Sequence, residues 1–111
     1  RRQTARNPIV SDTAQVGALE RHDGTVVISG SLTFQTVPDF FARSGEWFRE
    51  ADGPLVFDLA GVTLADSAGV ALLLEWLRMA RAAGREARFI NTPAQVHTQL
   101  EVNGLTQALG V

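Results

Sequence analysis

The residues best placed to do chemistry at a surface are Asp66, Ser67, Ala68 and Gly69, which follow an apolar run, Phe57-Asp58-Leu59-Ala60-Gly61-Val62, and precede Val70-Ala71-Leu72-Leu73-Leu74. A strand running through a short loop into an apolar helix would bring all four to the helix's first turn. Asp is a good N-cap because its carboxylate accepts a hydrogen bond from an orphaned amide. A hydroxyl just after it, Ser67, stands at the positive end of the helix dipole, where a phosphate or a partner's acceptor is favoured. Gly69 removes a side chain and would let another surface approach the turn closely. The loop reads as a docking or switching point.

Other chemistries fit poorly. His22 and His97 are the only imidazoles, and neither has a spacing to Ser and carboxylate that suggests a triad. Asp58 and Asp66 could form a carboxylate pair, but Asp58 falls within the strand and Asp66 has its cap to make. Gly61 and Gly69 are not a phosphate loop, because the chain has no Lys to complete one. With no Cys there is no disulfide framework, thiol nucleophile or thiolate metal site, and no metal-ligand cluster stands out. The chain reads as a non-enzyme without metal or cofactor.

Composition narrows the class further. A length of 111 residues suits one domain, and 45% hydrophobic with 20% charged residues is ordinary for a soluble globular protein. The longest apolar run, Val70 to Leu74, falls far short of the roughly 20 residues a membrane span needs. No apolar signal-peptide core begins the chain, although it also starts without Met. A cytoplasmic protein without membrane insertion is the expectation. Arg1, Arg2 and Arg6 give the N-terminus a positive charge within a formal total of −2, so the remainder is acidic and is not expected to bind nucleic acid.

Elements to position the loop follow from periodicity and turn residues. Residues 1–13 are polar and unpatterned, a flexible tail, and 14–111 form the domain. Residues 14–21 suit a first strand, and His22-Asp23-Gly24 turns into Thr25-Val26-Val27-Ile28-Ser29, ended by Gly30 and Ser31. A helix over 37–50 buries Val37, Phe40, Phe41, Trp47 and Phe48, with Gly45 its weak point. An inner strand covers 55–59 and a helix 67–83, stopped by Gly84 with Arg81 and Arg85 at its negative end. Residues 87–90 form a strand parallel to 55–59, 93–102 a third helix, and 105–109 a short helix or strand. Such alternation predicts a single α/β or α+β domain, a mixed sheet with helices packed on it.

The helix over 67–83 presents a core stripe of Val70, Leu73, Leu74, Leu77 and Ala80. Leu72, Trp76, Met79 and Ala83 make a second apolar strip, read as separate from the first. Either helix 93–102 or the tail covers it, or it faces a partner, since Trp and Met are favoured at interfaces. On the second alternative, Trp76 and Met79 are partly exposed in the isolated domain.

Asp58-Leu59-Ala60-Gly61-Val62 followed by Asp66-Ser67-Ala68-Gly69 resembles the signature of STAS domains. The resemblance extends over 14–111 and implies an α/β STAS fold with a mostly parallel mixed sheet. Within the family the chain is similar to the MlaB-like subunit of Mla-type phospholipid ABC transporters. That likeness implies a cytoplasmic accessory subunit at an inner-membrane complex, binding the transporter's ATPase through the loop 66–69 and supporting outer-membrane lipid asymmetry. The alternative is an anti-anti-sigma factor whose phosphoacceptor is Ser67 and whose partner is an anti-sigma kinase. Ala68 departs from the Ser or Thr common in the sporulation-type members. Either way, Ser67→Glu or a bulky residue for Gly69 is expected to weaken partner binding more than folding.

Overall fold

The computed structural model describes residues 18–22, 24–50 and 53–111. The expected tail 1–13, and the start of the first strand at 14–17, lie outside the described residues. β1 (Ala18–His22) forms an antiparallel hairpin with β2 (Thr25–Leu32), Ala18 facing Ser29 and His22 facing Thr25. Gly24 closes that hairpin at φ 88°, a left-handed conformation other residues rarely adopt. β3 (Leu55–Ala65) lies parallel to β2, and β4 (Ala87–Ile90) parallel to β3, giving the order β1-β2-β3-β4. The result is one small α/β domain with three parallel strands in an open, mixed sheet.

Among the described residues there are five helices: α1 (Val37–Ser44), α2 (Trp47–Glu50), α3 (Ser67–Ala82), α4 (Ala94–Val102) and α5 (Thr106–Leu109). The single helix expected over 37–50 is therefore two, parted at Gly45 and Glu46. The break re-phases the apolar residues. Phe40, Trp47 and Phe48 are buried and Val37 is half-buried, while Phe41 is 46% exposed.

β3 continues well beyond the expected 55–59, and β2 beyond Gly30 to Leu32. The register explains both extensions. Thr25 pairs with Val56, Ser29 with Gly61 and Leu32 with Ala65, so β3 gains a residue on β2 at each of two shifts. Such bulges break the two-residue alternation. Leu55, Phe57 and Leu59 are buried in alternation, but the next buried residues are Val62 and Ala65.

The core lies between the sheet and α3. Phe57 stacks on Trp76 (centroids 4.9 Å apart, planes at 8°) and on Phe89 (5.1 Å, 14°), and Trp47 tilts against Trp76 at 5.6 Å. Each such pair adds roughly 0.5–1.5 kcal/mol beyond area burial. Two expectations about α3 are corrected here. Leu72 and Trp76 are fully packed in the core, Met79 is half-buried against it, and only Ala83, at the C-cap, is exposed. Trp76 and Ala80 are four residues apart, about 40° around a helix of about 3.6 residues per turn. The two strips are thus halves of one broad stripe, not separate faces. Its cover comes from Trp47, carried over Trp76 by the α1–α2 break. The second correction concerns Arg85, which does not sit at the end of α3 as a surface cation. It is buried, its Nε donating to the Gly53 carbonyl at 2.8 Å and its Nη1 to the Trp47 carbonyl at 2.7 Å.

Candidate functional site

Strand β3 delivers Asp66 to the start of α3 in an extended conformation (φ −108°, ψ −169°). From there one carboxylate does two jobs. Its Oδ1 accepts from the Ala68 amide at 2.9 Å and the Gly69 amide at 3.1 Å, capping the helix. Its Oδ2 accepts from the Phe34 amide at 3.1 Å, while the Asp66 amide donates to the Leu32 carbonyl at 3.1 Å. The β2–α1 loop and the β3–α3 loop are therefore tied together at a single residue.

Both loops are braced from within. Thr36 Oγ1 donates to the Ser31 carbonyl at 2.8 Å and accepts from the Thr33 amide at 3.0 Å, holding the turn that carries Phe34. From α4, Gln95 grips Ala65 with both ends of its amide, its Oε1 accepting from the Ala65 amide at 2.9 Å and its Nε2 donating to the Ala65 carbonyl at 3.2 Å. Asp58 is engaged elsewhere than at Asp66, accepting from the Ala60 amide at 3.0 Å and from Asn91 Nδ2 at 3.1 Å.

This frame presents Ser67 to solvent, with its hydroxyl making no protein hydrogen bond among the described residues. Around the neighbouring Asp66, Phe34 is 70% and Leu64 48% exposed. A shallow concavity of about 410 Å³ lies between them, lined by Ser31, Thr33, Phe34, Gln35, Leu64 and Asp66. Phe34 and Leu64 were not anticipated from the sequence, although a lone aromatic within the polar turn Thr33-Phe34-Gln35 is a signal for the first. Gln95 offered no local signal, because it acts on backbone groups 30 residues away that only the fold brings near, whereas Thr36 braces its own turn.

Two features of the loop differ from expectation. Gly69 is buried, and what approaches it closely is this chain's own β2. A Cβ there would collide with the Leu32 carbonyl and lie 2.9 Å from the Leu32 Cβ. Its lack of a side chain therefore serves packing, and a bulky replacement would act on folding first. The second difference is electrostatic. The Ala68 and Gly69 amides, which a phosphate at the helix N-terminus would use, are already taken by Asp66. A phosphoryl group on Ser67 would face that carboxylate instead of an open set of donors.

No helix among the described residues is long and apolar enough to cross a membrane. No curated protein matches the chain. Among solved structures, the anti-sigma factor antagonist SpoIIAA in its unphosphorylated form is 24% identical over 82% of this chain and 83% of that one, with a TM-score of 0.68. The phosphorylated form of SpoIIAA, the Bacillus cell fate determinant, is 25% identical over 82% and 86%, with a TM-score of 0.62. An anti-sigma factor antagonist from Mycobacterium paratuberculosis is 22% identical over 84% and 80%, with a TM-score of 0.63. The family model described as "Mlab, STAS domain" matches residues 17–110, nearly the whole chain, so this protein belongs to the STAS-domain family of MlaB type.

Proposed function

We propose that this chain is an accessory STAS subunit that binds and supports the ATPase of an Mla-type phospholipid ABC transporter, on the cytoplasmic side of an inner-membrane complex that maintains outer-membrane lipid asymmetry. The observation carrying this reading is the exposed Ser67 hydroxyl, next in the chain to Asp66, which lines a shallow hollow with exposed Phe34 and Leu64, on a chain matched by the MlaB-type model. An exposed aromatic next to a fixed hydrogen-bonding group is the usual make-up of an interface anchor. Asp66 and Ala68 hold the loop in shape, Ser67 supplies the polar contact, and Gly69 seats the helix on β2. With the first-turn amides occupied, the hydroxyl works as a contact without needing to be modified.

A second reading has its own support. SpoIIAA is solved in phosphorylated and unphosphorylated forms, and its fold is shared here. On that reading the chain is an anti-anti-sigma factor, Ser67 is the phosphoacceptor and the partner is an anti-sigma kinase. Phosphorylation would add about −1.5 to −2 charges beside Asp66 and drive the partner off.

Affinity purification of the tagged chain from its own cells, with intact-mass analysis, separates the two. The transporter reading expects an ABC ATPase in the eluate, unmodified Ser67, and loss of the ATPase from a Ser67→Glu variant whose melting temperature is unchanged. Recovery of a kinase with a phosphorylated fraction at Ser67 would replace it with the second reading. An ATPase retained by both Ser67→Glu and Phe34→Ala would refute the loop as the interface.

A further inference from the structure

β4 flanks β3 only as far as the pair Asp58–Ile90, and from Leu59 to Ala65 no strand lies on that edge of β3 among the described residues. A strand residue turns its amide and its carbonyl to the same edge, so a residue facing an open edge needs partners for both. Ala65, the last residue of β3, is 1% exposed, which makes water a poor substitute. One side chain meets both groups. Gln95 Oε1 accepts from the Ala65 amide at 2.9 Å, and its Nε2 donates to the Ala65 carbonyl at 3.2 Å. Engaged at both atoms, the side-chain amide stands in for the peptide groups of a neighbouring strand.

Gln95 is itself firmly placed. It lies in the first turn of α4, ahead of the buried anchors Val96 and Leu100. The turn before α4 is pinned to β3 as well, since Asn91, at φ 56°, donates from Nδ2 to Asp58 at 3.1 Å. On its other edge Ala65 pairs with Leu32 of β2, and the next amide, that of Asp66, donates to the Leu32 carbonyl. The end of β3 is thus held from both edges, immediately before the carboxylate that caps α3 and two residues before Ser67. Among side chains of this reach, Gln carries a donor and an acceptor side by side, whereas ionised Glu only accepts and Arg and Lys only donate.

We infer that Gln95 is the positioning residue of the Ser67 loop. It acts through Ala65, whose direction it fixes, so that the Asp66 ties to Phe34, Ala68 and Gly69 form and the loop is in shape before a partner arrives. Ordering a loop beforehand spares association the cost of ordering it. This role deepens the reading of the loop as the ATPase-binding surface and rests on it.

Gln95→Met keeps the length and apolar stem of the side chain and removes both hydrogen bonds, while Gln95→Glu keeps the acceptor for the Ala65 amide and loses the donor to its carbonyl. Arg85→Ala is the comparison, a variant destabilised beyond the far end of α3. Full-length chains are compared by amide hydrogen exchange at a temperature where each is folded, and by affinity for the ATPase that co-purifies with the parent. Gln95→Met should speed exchange at Ala65, Ala68, Gly69 and Phe34 about tenfold or more while sparing the core of β2, and weaken ATPase binding about tenfold, the worth of a net hydrogen bond. Gln95→Glu should keep the Ala65 amide protected and weaken binding by a smaller factor. Arg85→Ala should leave the loop amides and the affinity within about twofold, as a distant, independent site does. Loop amides unchanged in Gln95→Met, or exchange raised equally along the whole chain, would overturn the inference. So would an affinity untouched by Gln95→Met but abolished by Ser67→Glu. Should Ser67→Glu also leave the ATPase bound, or no ATPase co-purify, the interface reading fails instead, and the exchange pattern alone decides whether Gln95 positions the loop. Should Gln95→Met not fold, Gln95→Glu carries the comparison, with faster exchange at Ala68, Gly69 and Phe34 and weaker binding as its expected signature.

Discussion

Replacing Asp66 separates the two jobs of its carboxylate. Asp66→Ala removes the helix cap made by Oδ1 and the tie from Oδ2 to the Phe34 amide. Loss of a cap costs about 1 kcal/mol. The Phe34 bond is exposed, which places its worth near the typical net value of about 1 kcal/mol. The sum is about 2 kcal/mol, or a fall in melting temperature of about 10 °C for a domain of this size. Asp66→Asn is the informative partner. Asn caps helices as well as Asp, but it offers one acceptor oxygen. With that oxygen on Ala68 and Gly69, its NH₂ confronts the Phe34 amide, donor against donor. The expected cost is about 1 kcal/mol, half that of the Ala variant. Amide hydrogen exchange followed by NMR reads the division residue by residue. In Asp66→Asn the Ala68 and Gly69 amides stay protected while that of Phe34 exchanges freely, and in Asp66→Ala all three lose protection. Equal destabilisation by the two variants, or retained protection at Phe34 in Asp66→Asn, would refute the assignment of one oxygen to each loop.

Trp76→Ala should cost about 3–5 kcal/mol by chemical denaturation, the range for a core aromatic, and a loss below about 1 kcal/mol would mean that the indole is not held between Trp47 and Phe57. Gly69→Ala should destabilise by about 1–3 kcal/mol because its Cβ drives into Leu32, and a neutral result would mean that β2 and α3 part easily. Arg85→Ala should cost about 2 kcal/mol, since it strips hydrogen bonds from the Gly53 and Trp47 carbonyls, and unchanged urea unfolding would remove Arg85 from the packing of α2.

What the sequence revealed and what it hid follow from the range over which each interaction acts. The Asp66 cap is a contact between residues two and three apart, so its chemistry was readable in the local string, as were the Gly24 turn and the strand Thr25-Val26-Val27-Ile28-Ser29. The far end of β3 was hidden because the two bulges convert an alternating pattern into one of every third residue, Leu59, Val62 and Ala65. The apolar side chains of α3 were all legible, but whether Trp76 met solvent depended on Trp47, which only the break at Gly45 brings over it. Phe34 and Asp66 are 32 residues apart, and no periodicity links them. The exposure of Ser67 could be read from its place behind the Asp66 cap, while the inward packing of Gly69 required sight of Leu32.

Trp47 and Trp76 are the chain's two tryptophans, and their rings lie 5.6 Å apart. All indole emission therefore arises from one spot between α3 and the sheet. The two rings exchange excitation energy and behave as a single optical centre. Trp47 also lines a surface hollow with Leu19, Arg43 and Glu46, whereas neither indole lines the hollow at Asp66. Loosening of α3 from the sheet changes the surroundings of both rings at once. The unlabelled chain thus carries a built-in optical report on the packing of its own core.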